Sequence, residues 1–357
     1  VKDIGENTEK LFGLNSQISS SKRINQPSDD PIGLSRVLIY RSELNSFDQF
    51  EKSIDQAKNW LSRMDTIMMD ADDLLARASE LAVQQSSATA TASTRDGAAE
   101  EIRQIREMMT SLANSKYANK YMFGGTMTQN LPFLSVDVDN WQADVNTVAA
   151  DDAEAVVNLG GSASAGDRYI NTTNGNIYEY DGAAWQLSTA AGEGISAVVS
   201  DQDRLYVYSD GEWMSQYQGN SSSYSVKIGK EDTVQTNIPG DEIFNNGSGD
   251  ILMTLMRLER ALRNNDQQGV SDELPDLENS SKILMNKLAG IGAKVNRFDQ
   301  SKSMLESAEV DTKESTSRIE DLDYAEAITS LQNQQTIYQA TLKSASMITG
   351  LSLVNYV

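Results

Sequence analysis

Carboxylates are the only side chains in this sequence whose number and spacing suggest catalytic or metal-binding chemistry. The 357 residues include 52 Asp and Glu, but no histidine and no cysteine. This composition excludes Ser-His-Asp and Cys-His catalysis, the usual His and Cys zinc sites, disulfides, and haem or iron–sulfur ligation. A pair of carboxylates acting on a glycosidic bond is the remaining enzymatic hypothesis, with Asp167, Asp181 and Asp210 as candidates.

Two of these acids have a simpler explanation. Asp181 and Asp210 each precede a glycine, and Asp-Gly is a common sequence in tight hairpin turns. The run 201–212 has acids at the first, third and twelfth positions of a calcium loop, but Leu205 and Tyr206 stand where such a loop needs a polar ligand and a glycine. We therefore expect no calcium or other metal site, no cofactor and no enzymatic activity.

Both turns lie in a repeated pattern that predicts two related β-hairpins. "IYEYDGAAW" at 177–185 and "LYVYSDGEW" at 205–213 align at a constant offset of 28 residues. Alternating aromatic residues fit half-buried strands, and most often form the core of a small sheet. A carbohydrate-binding aromatic face is the alternative.

The negative charge is concentrated in the middle of the chain. The net charge is −22, and residues 131–250 carry 19 acids against 4 bases, or −15. Such a segment repels nucleic acid and anionic membranes, and no apolar run is long enough to span a bilayer. We expect a well-solvated outer domain, with neither nucleic-acid binding nor membrane insertion.

The flanking regions have the periodicity of long helices. From 47 to 82, apolar residues recur every seven positions, as Phe47, Ile54, Leu61, Met68, Leu75 and Ala82. This heptad pattern predicts a helix over 34–86, paired antiparallel with a second helix over 95–117. The C-terminal part predicts a short helix over 251–263, then long helices with apolar positions at Leu284, Ile291, Phe298, Leu305, Ile319, Leu322, Ile328, Leu331, Tyr338, Leu342 and Ala345.

The predicted fold class is therefore mainly α with a β-rich insertion. A long antiparallel helical bundle or coiled coil is built from both chain ends, and an outer β domain lies between them in sequence. "SSSKRINQPSDDPIG" at 19–33 interrupts the first helical region, because its two prolines cannot lie inside a helix. Asp30 can cap the next helix, Pro31 suits its first turn, and Lys22 and Arg23 can contact carbonyls or acids nearby.

Three segments together resemble the flagellin superfamily. They are "SSSKRINQPSDDPIG", "YANKYMFGGTMTQNLPF" at 117–133 and "SRIEDLDYAEAITSLQNQQTIYQATLKSASMITGLSLVNYV" at 317–357. Within the superfamily the closer resemblance is to the hook-filament junction group, the third hook-associated proteins. Flagellins usually follow the acidic pair Asp29-Asp30 with alanines and lack the Phe-Gly-Gly-Thr hairpin at 123–126. The resemblance covers 1–134 and 215–357.

The resemblance implies a layered architecture. Residues 1–33 and 317–357 would form an inner coiled-coil layer, with 23–33 as a spoke to the next layer. Residues 34–134 and 215–316 would form a helical bundle with a β-hairpin, and the acidic β-rich insertion 135–214 would lie outermost.

The implied function is that of a structural, non-catalytic subunit of the bacterial flagellum that joins hook to filament. It would be exported by the flagellar type III apparatus and would assemble outside the cell. Its partners would be copies of itself in a ring, the first hook-associated protein on the hook side, flagellin on the filament side, and an export chaperone at the C-terminal helix. The alternatives are a flagellin-like filament subunit and a protein whose insertion binds or hydrolyses carbohydrate.

The residues expected to make subunit contacts belong to the terminal helices and the spoke. They are Ile4, Leu11, Ile18, Arg23, Asn25, Pro27, Asp29, Asp30, Pro31, Arg318, Ile328, Leu331, Tyr338, Leu342, Ala345 and Leu351.

Overall fold

The computed structural model describes residues 2–136, 145–192, 195–199, 204–209, 212–245 and 250–354. The chain forms two compact units. The first combines residues 1–53 with 299–357, and the second comprises residues 54–298. The mainly helical fold class with a central β region is confirmed.

Four helices supply the first unit. Helix α1 runs over Lys2–Ser20, α2 over Pro31–Gln85, α7 over Leu274–Glu320 and α8 over Tyr324–Val354. Helices α2 and α7 also supply residues to the second unit. The helix predicted over 34–86 is confirmed, and it begins at Pro31, where a missing amide hydrogen costs nothing.

Helix α3, over Ala92–Ala113, ends four residues before the predicted 117. Thr91 caps its start, as the Thr91 hydroxyl accepts from the Thr94 amide. Directly after the helix, strands β1 (Lys116–Tyr117) and β2 (Lys120–Tyr121) form a hairpin. The residues between them, Ala118 and Asn119, have φ of 48° and 63°. This tight turn requires Tyr117 to be extended, which stops the helix early.

The predicted heptad positions form the core of the second unit. Ile54, Leu61, Met68 and Leu75 of α2 are completely buried, as are Leu284 and Phe298 of α7. Helix α5 occupies Ile251–Arg263, as predicted, and packs against α3, while the short α6 spans Gln267–Asp272. Gly290 and Gly292 do not interrupt α7.

Both predicted aromatic hairpins are confirmed. Tyr180 pairs with Trp185 in one hairpin and Tyr208 with Trp213 in the other. The first belongs to a four-stranded sheet of order β3-β4-β5-β6, in which β3 and β4 are parallel, and the second to the sheet β7-β8-β9. The strands are β3 Thr147–Ala149, β4 Arg168–Asn171, β5 Ile177–Tyr180, β6 Trp185–Thr189, β7 Ser196–Val199, β8 Arg204–Ser209 and β9 Glu212–Ser215, with α4 at Asp152–Asn158. A separate hairpin follows, β10 (Ser225–Lys227) with β11 (Thr233–Gln235).

The insertion shares a core with helix α5. Val198, Leu205 and Val207 form one buried cluster with Met253 and Met256. A buried ion pair lies beside it, since the Arg106 Nε is 3.0 Å from a Glu259 carboxylate oxygen and the Arg106 guanidinium also donates to the Val136 carbonyl. The insertion is thus tied to the helices by apolar packing and by a charged hydrogen-bond network.

Candidate assembly site

The two chain segments that interrupt the helices of the first unit lie against each other. The Arg23 amide donates to the Glu320 carbonyl at 2.7 Å, and the Leu322 amide donates to the Ser21 carbonyl at 3.2 Å. The connection between α1 and α2 therefore pairs with the connection between α7 and α8. We call this pair of connections, residues 21–30 and 320–323, the corner.

Glu320 is the charged centre of the corner. Its Oε1 lies 2.5 Å from the Lys22 Nζ and 2.5 Å from an Arg41 guanidinium nitrogen. Its side chain is 9% exposed, whereas both cations are over one third exposed. The Arg23 guanidinium donates twice to the Ile319 carbonyl, at 2.7 and 3.2 Å, which satisfies an acceptor at the end of α7. These bonds connect the segment after α1, the end of α7 and Arg41 within α2 through one carboxylate and one guanidinium.

The acidic pair in "QPSDDP" holds the bend by local hydrogen bonds. The Asp29 carboxylate accepts from the amides of Asn25 and Gln26, at 2.9 and 2.8 Å. The Asp30 carboxylate accepts from the Gly33 amide at 2.8 Å, which confirms the predicted cap of α2.

The ionised form of Asp30 is favoured by its surroundings. The Gly33 amide, assisted by Arg23, lowers the pKa of the Asp30 carboxyl below its usual value. The capping contribution of a carboxyl with a lowered folded-state pKa is complete above its ordinary pKa and is lost as the pH falls through the lowered one. A Cβ at position 33 would lie 2.8 Å from the Ile24 Cδ1 and closer still to the Asp30 carboxylate, so a larger residue would displace the cap or the buried Ile24 side chain.

Helices α1 and α8 pack against each other along partly covered apolar faces. The predicted residues Ile4, Leu11 and Ile18 of α1 are half-buried, and so are Leu331, Tyr338 and Ala345 of α8. On the flanks of this face, Ile328, Ile337 and Leu342 are 46%, 49% and 42% exposed. From 327 to 354 the only charged side chain is Lys343. Helix α8 is therefore a nearly uncharged helix that keeps much apolar surface exposed.

The other predicted contact residues take different places. Asn25 lies in the corner, where its side-chain Nδ2 donates to the Lys22 carbonyl. Pro27 and Pro31 are exposed. Arg318 lies outside the corner network, because its guanidinium is exposed and pairs with Glu314 of the same helix. The Leu351 side chain lies outside the described residues. Whether these positions touch other subunits stays a prediction.

Sequence reasoning missed Glu320 and Arg41. Their separation of 279 residues leaves no local pattern that pairs them. The usable signal was the acid cluster "EDLD" at the point where two predicted helices meet, since any acid of this cluster that is buried there needs a partner.

Two of the three carboxylates proposed for catalysis, Asp167 and Asp181, hold local turns. Asp167 accepts from the Ser164 amide at 2.6 Å, and Asp181 accepts from the amides of Ala183 and Ala184 at 2.8 Å. The amides of Ala184 and Ala183 lower the pKa of Asp181, the opposite of what a general acid needs. Asp210 and most acids of the rejected calcium loop lie outside the described residues. Among the residues that are described, no three Asp or Glu side chains converge as metal ligands.

The aromatic side chains of the first hairpin pack among themselves. Tyr169 is fully buried, stacks on Tyr178 with ring centres 5.5 Å apart, and meets the edge of Trp185 at 4.8 Å. Such packing is that of a small core, although Tyr178 and Trp185 remain half-exposed.

A substitution at Glu320 tests the corner. We expect Glu320→Gln to weaken the corner by about 2 kcal/mol, since it removes two charge-assisted bonds. The amides of Arg23 and Leu322 should then exchange hydrogen roughly 30 times faster by NMR or mass spectrometry. Glu314→Gln is the matched control, because an exposed pair contributes less than about 1 kcal/mol. Equal acceleration in both variants would contradict the role assigned to Glu320.

Two family models match the chain in the regions that form these elements. The bacterial flagellin N-terminal helical region matches residues 2–128, and the bacterial flagellin C-terminal helical region matches residues 276–357. Together they cover more than half of the sequence. The chain belongs to the flagellin superfamily. It is a flagellin-like structural protein with a β-rich insertion between the two helical regions.

Individual relatives include both filament and hook-associated proteins. Flagellin B of Vibrio cholerae is 23% identical over 344 residues, which is 91% of this chain and 87% of that protein. Flagellar hook-associated protein 3 of Salmonella typhimurium is 28% identical over 121 residues, 34% of this chain and 38% of that protein.

The fold is that of a flagellar hook-associated protein. A structure described as a putative flagellar hook-associated protein from Vibrio parahaemolyticus aligns with a TM-score of 0.56 at 15% identity, covering 82% of this chain and all of that one. FlgL of Bacillus cereus aligns with a TM-score of 0.50 at 18% identity, covering 78% of this chain and 99% of that one. In the described part of the chain, none of the helices combines the length and hydropathy needed to cross a membrane.

Proposed function

We propose that this chain is the structural subunit that joins hook to filament in a bacterial flagellum. It is exported by the flagellar type III apparatus and assembles outside the cell at the junction. Residues 1–33 and 317–357 form the inner layer, 34–134 and 215–316 the bundle, and 135–214 the outer domain. The observation that carries the proposal is the half-covered apolar helix pair α1/α8 in a superfamily of flagellar structural proteins.

The charge distribution explains why this pair requires neighbours. The chain has a net charge of −22, yet residues 327–354 contain a single charged group, the ammonium of Lys343. An exposed apolar helix surface is usually covered by another protein. In a coiled coil of two helices, the positions that flank the apolar seam usually carry charges, whereas on α8 none of them is charged and three of them are Ile328, Ile337 and Leu342. Helices from neighbouring copies would cover both flanks.

The partners follow from the same surface. Copies of this chain form a ring, with the first hook-associated protein on the hook side and flagellin on the filament side. Before assembly, an export chaperone covers the apolar side of α8. Such a cover prevents the association that exposed Ile328, Ile337 and Leu342 would otherwise cause in the cell.

Flagellins usually lack the Phe-Gly-Gly-Thr segment at 123–126, so its presence here favours the hook-associated assignment over the filament one. Phe123 is fully buried, and Gly125 has a φ of 65° at a point where any Cβ would clash with the Asn220 carbonyl. The Asn220 side chain accepts from the Thr126 amide at 2.9 Å. This turn thus needs both its glycine and the segment that returns from the insertion.

A filament subunit is the second candidate. It is favoured by the alignment with Flagellin B, which spans 91% of this chain. A filament subunit repeats along the whole filament, whereas the ring of junction subunits occurs at one place, between the hook and the first flagellin.

Deletion of the gene in the source strain distinguishes the two functions. For a junction subunit we expect hooks without filaments and unassembled flagellin released into the medium, both restored by the wild-type gene. Immunoblots of the medium and electron micrographs of the cells give the result. Filaments attached to hooks in the deletion strain, without released flagellin, would reject the junction role and leave the filament role.

A further inference from the structure

The face that joins α1 to α8 contains polar side chains at three seam positions. In α1 the half-buried residues spaced three and four apart are Ile4, Asn7, Leu11, Leu14 and Ile18. In α8 the matching buried or half-buried series is Ala327, Leu331, Gln334, Tyr338, Thr341 and Ala345. This spacing is that of the a and d positions of a coiled coil. Three members of this seam carry an amide or an aliphatic hydroxyl group that forms hydrogen bonds. They are Asn7, Gln334 and Thr341.

These three side chains form one chain of hydrogen bonds across the two helices. The Gln334 Nε2 donates to the Asn7 Oδ1 at 2.9 Å, and the Asn7 Nδ2 donates to the Thr341 Oγ1 at 3.2 Å. The Thr341 hydroxyl in turn donates to the Ile337 carbonyl at 2.8 Å. The Asn7 amide therefore uses both its oxygen and its nitrogen on α8, with two residues one heptad apart.

We propose that Asn7, Gln334 and Thr341 are a polar layer that makes α1 and α8 selective for each other. The other seam residues of α1 are Ile4, Leu11, Leu14 and Ile18, which fit almost any apolar helix. A pairing that places Asn7 against these residues of another α1 leaves an amide without partners. A half-buried amide that loses its hydrogen-bond partners on pairing weakens that pairing, and polar seam residues are known to select coiled-coil partners.

This selectivity matters because the terminal helices expose apolar surface before assembly. Phe12 on α1, and Ile328 and Leu342 on α8, are exposed in the single chain. If the seam contained only apolar residues, it would be a second apolar surface of the terminal helices, and it would pair without selectivity. Use of the layer to prevent premature self-association rests on the proposed function, but the selectivity itself does not.

Self-association of the purified full chain tests the polar layer. The test compares wild type with Asn7→Leu, which completes the apolar seam, by sedimentation equilibrium over a range of concentrations. Asn15→Leu is the matched control, because Asn15 is an exposed residue of the same helix. We expect Asn7→Leu to associate at least 10-fold more tightly than wild type, and Asn15→Leu to change the association constant less than 3-fold.

A second variant separates selectivity from simple stability. Thr341→Val removes the acceptor of the Asn7 amide at nearly constant volume, so it should loosen the cognate pair without completing an apolar seam. We expect amide hydrogen exchange in α1 to accelerate about 10-fold in this variant, with self-association unchanged. The proposal is overturned if Asn7→Leu associates like wild type, if Asn15→Leu associates as tightly as Asn7→Leu, or if Thr341→Val leaves exchange in α1 unchanged. None of these results depends on the flagellar role.

Discussion

Deletion of residues 318–357 is expected to abolish both chaperone binding and incorporation into the flagellum. The deletion removes α8 and the Glu320 carboxylate, so Lys22 and Arg41 lose their common partner. It also uncovers the half-buried residues Ile4, Leu11 and Ile18 of α1. Residues 54–298 form a separate compact unit and should remain folded.

The measurements are a chaperone pull-down, far-ultraviolet circular dichroism and a motility assay. A finer variant, Ile328→Ser with Leu342→Ser, keeps the seam of α1 and α8 but removes exposed apolar side chains from its flank. We expect this double variant to fold and to fail in assembly. Truncated chains that still bind the chaperone and support filaments would show that the terminal helix makes neither contact.

Replacement of Pro27 and Pro31 by alanine is expected to leave the helical bundle folded but to prevent incorporation between hook and filament. Pro27 lies in the turn where the Asp29 amide donates to the Gln26 carbonyl at 3.0 Å, and Pro31 is the first residue of α2. Proline is favourable at both places, while in a helix interior alanine is better by about 3 kcal/mol. The double substitution therefore shifts the balance from the bend toward a continuous helix, which would separate Arg23 from the Ile319 carbonyl.

Circular dichroism with motility and flagellin-release assays gives the result. Pro275→Ala is the matched control, since Pro275 also lies in the first turn of a helix, α7, and is exposed. We expect the control to be motile. Normal filaments on a strain with both Pro27→Ala and Pro31→Ala would show that the bend is only a connection between two helices.

Local features of this protein could be predicted from the sequence, because neighbouring residues determine them. The heptad residues Ile54, Leu61 and Met68 are buried as expected, since the period of a helix fixes which side chains share a face. The Asp30 cap and the two aromatic hairpins follow equally from short patterns.

Contacts between distant segments could not be predicted in the same way. The pairing of Glu320 with Arg41, and the buried cluster that contains both Val207 and Met256, join residues whose local sequences give no sign of each other. The end of α3 at Ala113 was also missed, because the hairpin that stops it starts with residues of acceptable helix propensity. In the site, the sequence indicated the apolar stripe of α8 that faces α1, since Leu331, Tyr338 and Ala345 are half-buried on the helix that packs against α1.

The position of the protein in the flagellum tests the proposed junction role most directly. The chain contains no cysteine, and Leu187 of β6 is 56% exposed, so Leu187→Cys provides a single attachment point for gold particles. Electron micrographs of intact flagella from a complemented strain then locate the label. For a junction subunit we expect one narrow band of gold between hook and filament. Gold distributed along the length of the filament would contradict this role and would identify the chain as a filament subunit.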